Sequence, residues 1–301
     1  MPIKPYLQLV RLPNVFTAAA DSLAGWLLVR GSFEEPGHWL PLVGASMAIY
    51  AAGIALNDYY DYELDLAERP ERPLPSGKVT RRFAVGLAAG LLLIGVILAA
   101  LSGSMSSLGV SLLLVSCVVA YDAVANHTVF GPGVMGACRG LNVLLGMSQA
   151  TRFGGAWAWL VAWSIAMFVV GVTWISRSET RTGQARNLVP GLILQNAAIV
   201  GLMAAALSPS RFPAPNVEQP ILPLAGLIVL ILVLLTVNLA AGQAIGQATP
   251  AHVQRAVKTG VLSLVWLNVG VVAAVRGVGP ALAVAALWVP AFVLSRRLYS
   301  T

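Results

Sequence analysis

Charge is what this sequence lacks most. Its 301 residues include 19 Lys and Arg and 12 Asp and Glu, so charged residues make up 10 % of the chain, against 57 % apolar residues. Soluble domains carry about a quarter charged residues, so a protein with a water-facing surface on every side is excluded. The three histidines stand far apart, and no Ser/His/Asp or Cys/His constellation typical of nucleophilic catalysis is present in the sequence.

Cysteine is limited to Cys117 and Cys138, both in apolar segments. Two such residues predict neither a disulfide framework nor a thiolate metal site. The formal net charge is +7, but no basic patch with interleaved aromatic residues accompanies it. We therefore expect no nucleic-acid partner and attribute the excess of cations to contact with anionic membrane lipid.

Long apolar runs stand where a soluble protein would carry charge. A hydrocarbon core about 30 Å thick requires about 20 apolar residues in a helix. We predict ten membrane helices in one domain that spans residues 1–301, at 13–30, 39–57, 82–101, 107–124, 133–150, 157–175, 188–207, 220–241, 257–275 and 279–296. The N-terminal segment has no convincing cleavage site, so the first helix is expected to be retained.

The distribution of Lys and Arg supports an even helix count. With the N-terminus inside, fourteen of these residues fall on the inner side and four on the outer side, while Arg139 lies within a helix. The positive-inside rule then predicts an integral protein of the cytoplasmic (inner) membrane with a cytosolic N-terminus. The inner residues are Lys4, Arg11, Arg69, Arg72, Lys78, Arg81, Arg82, Arg177, Arg181, Arg186, Arg255, Lys258, Arg296 and Arg297, and the outer ones are Arg30, Arg152, Arg211 and Arg276.

A polar stretch follows the second predicted helix. If that helix continues past Leu56, Asp58, Asp61 and Asp65 fall at i, i+3 and i+7 on one face, with Asn57 on its flank. Three adjacent carboxylates repel one another unless a cation lies among them, and Mg²⁺ is typically bound by one or two carboxylates together with substrate phosphates. The pattern favours a metal site, although the solvated end of a membrane helix could also carry three acids.

The longer string around these acids is more specific. It reads NDYYDYELDLAERPERPLPSG and resembles the first aspartate-rich motif of the UbiA superfamily of intramembrane prenyltransferases. The resemblance implies an all-α bundle of nine to ten transmembrane helices, with a cytosolic cap over a central cavity. The residues that fit the motif, in order, are Asn57, Asp58, Asp61, Asp65, Arg72, Pro73, Ser76 and Gly77.

The same resemblance implies the chemistry of the site. A prenyl diphosphate and a lipophilic acceptor would meet inside the membrane, Mg²⁺ would neutralise the leaving diphosphate, and the acceptor would capture an allylic carbocation. The expected catalytic residues are Asp58, Asp61, Asp65 and Tyr121, of which the three aspartates also bind the metal, and the expected diphosphate contacts are Asn57, Arg72 and Lys78.

Two positions depart from the superfamily pattern. Tyr121 fits, but Ala125 stands where a diphosphate-binding Lys is usual four residues later. In the second acidic motif Glu179 and Gly183 align, whereas Ile175 occupies the place of the first acid. We expect Glu179 to contribute to the metal and diphosphate site. His127 or Arg139 is expected to compensate for the missing Lys, and Arg177, Arg181 and Arg186 are expected to take over part of the phosphate neutralisation at the second motif.

A second polar group is predicted inside the bundle. Asp21 lies about two turns inside the first helix, at a depth similar to that of Arg139 in the fifth, and ionisable residues at such depths are paired or functional as a rule. We hypothesise an Asp21–Arg139 ion pair, or a polar cluster near the acceptor that also contains Asn14 and Asn142. An architectural ion pair with no part in the chemistry explains the same residues.

The fifth helix also carries a small-residue face. Gly136 and Gly140 allow the backbone of a neighbouring helix to approach closely. The surrounding string MGACRGLN, with His127 upstream, resembles the EboC-like branch of the superfamily.

Two other functions are compatible with a membrane helical bundle of this kind. A non-catalytic protein of the same fold would bind an isoprenoid lipid in transport or assembly, and the departures at Ala125 and Ile175 favour it. A CDP-alcohol phosphotransferase would need Asp-Gly and then Ala-Arg ahead of its later aspartates, and no such string precedes Asp58.

Overall fold

Regular structure is entirely helical in the part of the chain that the computed structural model describes, residues 3–150, 155–178, 185–208, 210, 212 and 223–298. A π-helical turn, Tyr121–Ala125, extends α6. The helices are α1 (Lys4–Leu9), α2 (Leu12–Arg30), α3 (Pro36–Tyr60), α4 (Tyr62–Glu68), α5 (Arg81–Leu101), α6 (Met105–Ala120), α7 (Gly131–Met147), α8 (Ala156–Ser176), α9 (Ala185–Ala206), α10 (Leu224–Gly246), α11 (Pro250–Arg276), α12 (Val278–Ala286) and α13 (Trp288–Leu298).

Nine of the ten predicted membrane helices are confirmed within these ranges. Nine segments are long and apolar enough to cross a membrane, and α12 and α13 together form one of them. The tenth predicted helix is α7, which has 17 residues. Its two ends contact opposite ends of the bundle: Gly131 lies against the turn after α6, and Ser148 bonds to Ser107 near the start of α6. All ten predicted ranges therefore correspond to helices of one membrane bundle.

Most helix ends lie within five residues of their predicted positions, and two differences are more important. α11 begins seven residues early, at Pro250, because Thr249 caps it by accepting a hydrogen bond from the His252 amide, and proline is favoured in the first turn. The last predicted helix is divided at Leu287 into α12 and α13.

Helix α2 occupies the centre of the bundle. It packs against α3, α7, α11, α12 and α13, while the other helices follow one another in contact from α5 to α12. A helix that is apolar or small on all sides is suited to such a buried position. The stretch from Thr17 to Leu28 is buried without interruption.

Two glycine contacts bring α2 and α7 unusually close. A Cβ atom on Gly146 would lie 1.9 Å from the Ser22 carbonyl oxygen, and one on Gly25 would lie 2.3 Å from that of Val143. The predicted small-residue face is also confirmed, since Cβ atoms on Gly136 and Gly140 would meet carbonyl oxygens of α8 at 2.6 and 3.1 Å. α7 is thereby fixed between α2 and α8.

Residues 69–80 form the predicted cap. Three prolines exclude a continuous helix, and the segment folds through turns in which the Ser76 amide bonds to the Arg72 carbonyl and the Val79 amide to the Pro73 carbonyl. Leu74 and Val79 are buried with side chains of α3 and α5. The cap is therefore attached to the bundle at the end that carries the aspartate motif.

Candidate active site

The aspartate motif spans the junction of α3 and α4. α3 ends at Tyr60, and Asp61 connects it to α4. The Asp61 amide still bonds to the Asn57 carbonyl at 2.9 Å, and the Asp65 amide to the Asp61 carbonyl at 2.8 Å. The helical register predicted from the sequence is thus largely kept, with a local break at the middle acid.

Arginines neutralise two of the three acids. Arg11 Nη2 lies 2.9 Å from Asp58 Oδ1, and Arg72 Nη1 lies 2.7 Å from Asp65 Oδ2 and 3.6 Å from Asp58 Oδ1. Both aspartates are 3 % exposed. Arg72 therefore joins the cap to the motif.

Asp61 points to different partners. Its carboxylate accepts hydrogen bonds from the Asn57 amide at 3.1 Å and the Asn126 amide at 3.2 Å, and His127 Nε2 lies 3.1 Å away. Asp61 therefore has a different set of partners from Asp58 and Asp65. Among the described residues, no group of three Asp, Glu, His or Cys side chains is arranged to hold a metal ion by itself.

A cavity of about 120 Å³ opens beside the motif, between α3, α6 with its π-helical turn, and α7, and Arg11 reaches it from the residue before α2. Its polar end is formed by Arg11, Asn57, Tyr121 and Asp122, and the walls beyond are mainly apolar. This volume is below the about 300–1,000 Å³ of typical ligand pockets, so the cavity cannot enclose a long apolar ligand completely. The apolar residues of the lining are Ile49, Gly53, Ile54, Leu114, Val118, Met135 and Cys138.

The predicted Asp21–Arg139 ion pair is present, with Nη1 2.6 Å from Oδ2. Arg139 also donates to the Thr17 hydroxyl at 2.6 Å, and its guanidinium lies 4.7 Å from the centre of the Tyr50 ring. It stands eight residues along α7 from the mouth, about 12 Å at 1.5 Å per residue. The predicted diphosphate contact at Arg139 is thus placed deep in the cavity wall, with its charge balanced by Asp21.

Amides complete this buried cluster. Asn268 of α11 donates to Asp21 Oδ1 at 2.7 Å, and Asn142 donates to Asp21 Oδ2 at 3.4 Å and to the Ala18 carbonyl at 2.9 Å. Asn14 contributes through its backbone, because its carbonyl accepts from the Thr17 hydroxyl at 2.6 Å. The cluster joins α2, α7 and α11.

The remaining predicted residues are divided between three locations. Tyr121, 9 % exposed, lines the cavity. Arg177 donates to the Asn126 and Thr128 carbonyls and so stabilises the turn after α6. Lys78 is exposed on the cap and forms no ion pair with any described residue. Glu179 and Arg181 lie outside the described residues.

The position of Ile175 explains what the second acidic motif has lost. Ile175 is 2 % exposed and packs with Leu188, Ala244, Val253 and Ala256. A carboxylate there would be buried among apolar side chains without a partner, at a cost of several kcal/mol. The described part of that motif therefore offers no metal ligand at this position.

Arg11 and Asn268 were not among the predicted site residues. Arg11 adopts φ 42°, the only positive φ among non-glycine residues that the structure describes, and a left-handed conformation costs about 1–2 kcal/mol. Its place just before the first membrane helix put it at the same end as the motif, which was a usable signal. Asn268 is 247 residues from Asp21, and nothing local in the sequence connects the two.

Comparison with known proteins identifies the class. The sequence model of the UbiA prenyltransferase family matches residues 18–251, and the chain belongs to this family. With its nine described membrane-length helices it is an integral membrane protein.

Similar sequences include digeranylgeranylglyceryl phosphate synthases of archaea. The one from Metallosphaera sedula is 34 % identical over 145 residues, 48 % of this chain and 51 % of that protein. The one from Sulfolobus acidocaldarius is 40 % identical over 98 residues, 31 % of this chain and 35 % of that protein. The chain thus matches about half or less of the length of these relatives.

Solved structures share the fold. One of a digeranylgeranylglyceryl phosphate synthase has a TM-score of 0.64 at 19 % identity, covering 91 % of this chain and 99 % of that one. A UbiA homologue from Archaeoglobus fulgidus, bound to GPP and Mg²⁺, has a TM-score of 0.61 at 12 % identity, covering 89 % and 99 %.

Proposed function

We propose that this protein is a membrane prenyltransferase, which moves an isoprenoid group from a prenyl diphosphate to a lipophilic acceptor with the help of Mg²⁺. One observation carries the proposal: a mouth of aspartates and arginines opens directly into an apolar-walled cavity inside a membrane helical bundle. A prenyl diphosphate has the same division into an anionic head and an apolar tail.

The diphosphate is assigned to the motif end. Arg11 and Arg72 bind Asp58 and Asp65, and a guanidinium group is suited to phosphate oxygens. Carboxylate oxygens of the motif fit Mg²⁺, which neutralises the departing diphosphate when bound. Asn57 and Tyr121 stand at the same end of the cavity.

The reaction then separates charge across the cavity. The allylic C–O bond breaks, both of its electrons leave with the diphosphate, and an electron-rich acceptor forms the new bond to the allylic carbon. The acceptor then loses the proton from its reacting atom, and the released diphosphate takes up that proton. The apolar walls exclude water, which would otherwise capture the cation. Because the cavity is too small to enclose a whole prenyl chain, it takes the part of the chain next to the diphosphate, and the rest of the tail extends towards the lipid between the helices.

The same function assigns an orientation to the chain. The positive-inside bias places the motif end and the N-terminus in the cytosol, where diphosphates and Mg²⁺ are available. The Asp21 cluster then lies towards the middle of the membrane, next to the acceptor. Relatives named as digeranylgeranylglyceryl phosphate synthases suggest a phosphorylated glycerol ether as one candidate acceptor.

A transfer assay tests the proposal. Purified protein in lipid nanodiscs is given radiolabelled geranylgeranyl diphosphate, Mg²⁺ and a panel of acceptors that includes geranylgeranylglyceryl phosphate, phenols and tetrapyrroles. We expect acceptor-dependent release of diphosphate and a labelled lipid product. Asp61→Asn is expected to lower the transfer rate at least about 100-fold, which is the usual effect of removing a group that stabilises developing charge. Glu63 is an exposed acid of the same segment, and Glu63→Gln is expected to leave the rate unchanged.

A non-catalytic isoprenoid-binding protein is the second candidate, and Ile175 in its apolar cluster is the observation that favours it. Such a protein would bind geranylgeranyl diphosphate or its alcohol and release no diphosphate with any acceptor. That outcome, with the protein folded and the lipid bound, would replace the enzymatic proposal.

A further inference from the structure

The four buried or nearly buried carboxylates at the mouth form two different pairs. Asp58 and Asp65 are paired with Arg11 and Arg72, with their shortest contacts at 2.9 and 2.7 Å. This pair is electrostatically balanced by the protein itself. The second pair is Asp61, at the α3–α4 junction, and Asp122, in the π-helical turn after α6.

The second pair has different partners. In the described part of the chain, Asp61 forms an ion pair with His127 and accepts hydrogen bonds from neutral amides. Asp122 lies beside the Asn57 amide that bonds to Asp61, and Arg11, at the same polar end of the cavity, attracts it over a longer distance. The two carboxylates therefore flank Asn57, and Asp122 shares the charge of Arg11 with Asp58.

Asp122 carries an unsatisfied oxygen. The residue is 6 % exposed and lines the cavity, and its Oδ2 is buried with no hydrogen-bond partner among the described residues. This oxygen faces the α3 backbone at Gly53, where a Cβ atom would lie 4.0 Å from it. A buried carboxylate oxygen without a donor is costly, so native proteins rarely keep one unless a ligand satisfies it.

The chemistry of the ligand follows from these atoms. Asp122 lines the cavity, and Asp61 lies on the other side of the Asn57 amide. Carboxylate oxygens that come from two elements and lie close to an amide are suited to a hard divalent cation. Mg²⁺ is commonly held by one or two carboxylates and completed by substrate phosphates, so a centre with two acids is sufficient.

We propose that Asp122 and Asp61 together hold the divalent cation at the mouth, with Asp122 as a metal ligand that the aspartate motif does not contain. This inference rests on the proposed function. It moves the cation from the Asp58–Asp65 side of α3 to the junction of α3 with α6, at the polar end of the cavity. When diphosphate binds, Arg11 and Arg72 then exchange their contacts with Asp58 and Asp65 for contacts with phosphate oxygens.

Cation binding is measured directly, with Mn²⁺ as the probe. Free Mn²⁺ is followed by electron paramagnetic resonance during titration of the full chain in nanodiscs, with and without inorganic diphosphate. We expect Asp122→Asn and Asp61→Asn each to weaken Mn²⁺ binding at least about tenfold, as loss of groups at a metal site does. Glu63→Gln is the matched control, because it removes one negative charge from the same segment at a side chain that is 82 % exposed. Its Mn²⁺ affinity should stay within about twofold of wild type.

Thermal unfolding gives a second readout. In EDTA, Asp122→Asn should raise the unfolding midpoint because it removes the unsatisfied carboxylate, and the increase that Mg²⁺ gives to wild type should be lost. Asp122→Glu keeps a carboxylate and should retain Mn²⁺ binding better than Asp122→Asn does.

The outcomes separate this inference from the proposed function. If Asp61→Asn loses Mn²⁺ and Asp122→Asn binds it as wild type does, the role of Asp122 is refuted while the proposed function stands. A fall of the midpoint of Asp122→Asn in EDTA would show that the carboxylate serves the fold, and would also refute the inference. If wild type binds no Mn²⁺ even with diphosphate, both proposals fail.

Discussion

The buried cluster at Asp21 makes a quantitative prediction about stability. Asp21 is 0 % exposed and accepts hydrogen bonds from Arg139 at 2.6 Å, Asn268 at 2.7 Å and Asn142 at 3.4 Å. Arg139→Gln would leave the carboxylate buried without its counter-charge, and Asp21→Asn would leave the guanidinium in the same state. Removing one partner of a buried pair costs about 3–5 kcal/mol.

The double variant Asp21→Asn/Arg139→Gln should behave differently. It removes both charges and keeps amides that can bond to Asn268 and Thr17. If the two single effects were independent, they would add to about 6–10 kcal/mol. We expect the double variant to lose about 2–4 kcal/mol, so the coupling energy is at least about 2 kcal/mol.

The assay is thermal or denaturant unfolding of the purified variants in one detergent, followed by size-exclusion chromatography with fluorescence detection. At about 2–4 °C per kcal/mol, each single variant should unfold about 6–20 °C below wild type. Arg186→Gln, at an exposed site in the first turn of α9, is the control and should unfold with wild type. A double variant whose loss equals the sum of the single losses would refute the ion pair as the source of stability.

Three further predictions follow from packing and charge at other positions. Gly146→Ala should destabilise the fold by more than about 3 kcal/mol or prevent folding, because its Cβ would meet the Ser22 oxygen at 1.9 Å. Gly86→Ala has open space around it and should be neutral or slightly stabilising. Equal melting temperatures of the two variants would contradict this prediction. Calorimetry should show that Arg72→Gln weakens geranylgeranyl diphosphate binding at least about tenfold and Lys78→Gln less than about threefold. The reason is that Arg72 contacts an aspartate of the motif, whereas Lys78 is exposed on the cap. The reverse order would indicate that the diphosphate binds at the cap surface. Ile175→Asp should destabilise the fold by several kcal/mol without adding a Mn²⁺ site, because the carboxylate would lie among apolar side chains. Ile175→Val should destabilise it by about 1 kcal/mol. A folded Ile175→Asp variant that binds additional Mn²⁺ would contradict this prediction and show that the second motif can be restored.

The fold and the position of the mouth were predictable because they depend on local patterns. The length of the apolar runs predicted the membrane helices, and the spacing of Asp58, Asp61 and Asp65 predicted their common helical register. The Asp21–Arg139 pair also followed from the sequence, because two charges at equal depth in a membrane have few other partners.

The division of the carboxylates could not be predicted. It depends on how α3 breaks at Asp61 and how the π-helical turn orients Asp122, and neither has a sequence signal that we recognised. Arg11 was counted only as a topological charge, and its unusual φ and its bond to Asp58 come from tertiary packing. The burial of Ile175 likewise depends on contacts with α9, α10 and α11, which are distant in sequence.

The most direct test of the central claim is the binding of geranylgeranyl diphosphate to the purified protein, with Mg²⁺ or with EDTA, in wild type and in Asp61→Asn. If the mouth is a metal-dependent diphosphate site, wild type should bind at least about tenfold more tightly with Mg²⁺, a difference of about 1.4 kcal/mol, and Asp61→Asn should lose that difference. Equal affinity in Mg²⁺ and EDTA, unchanged by Asp61→Asn, would contradict the account.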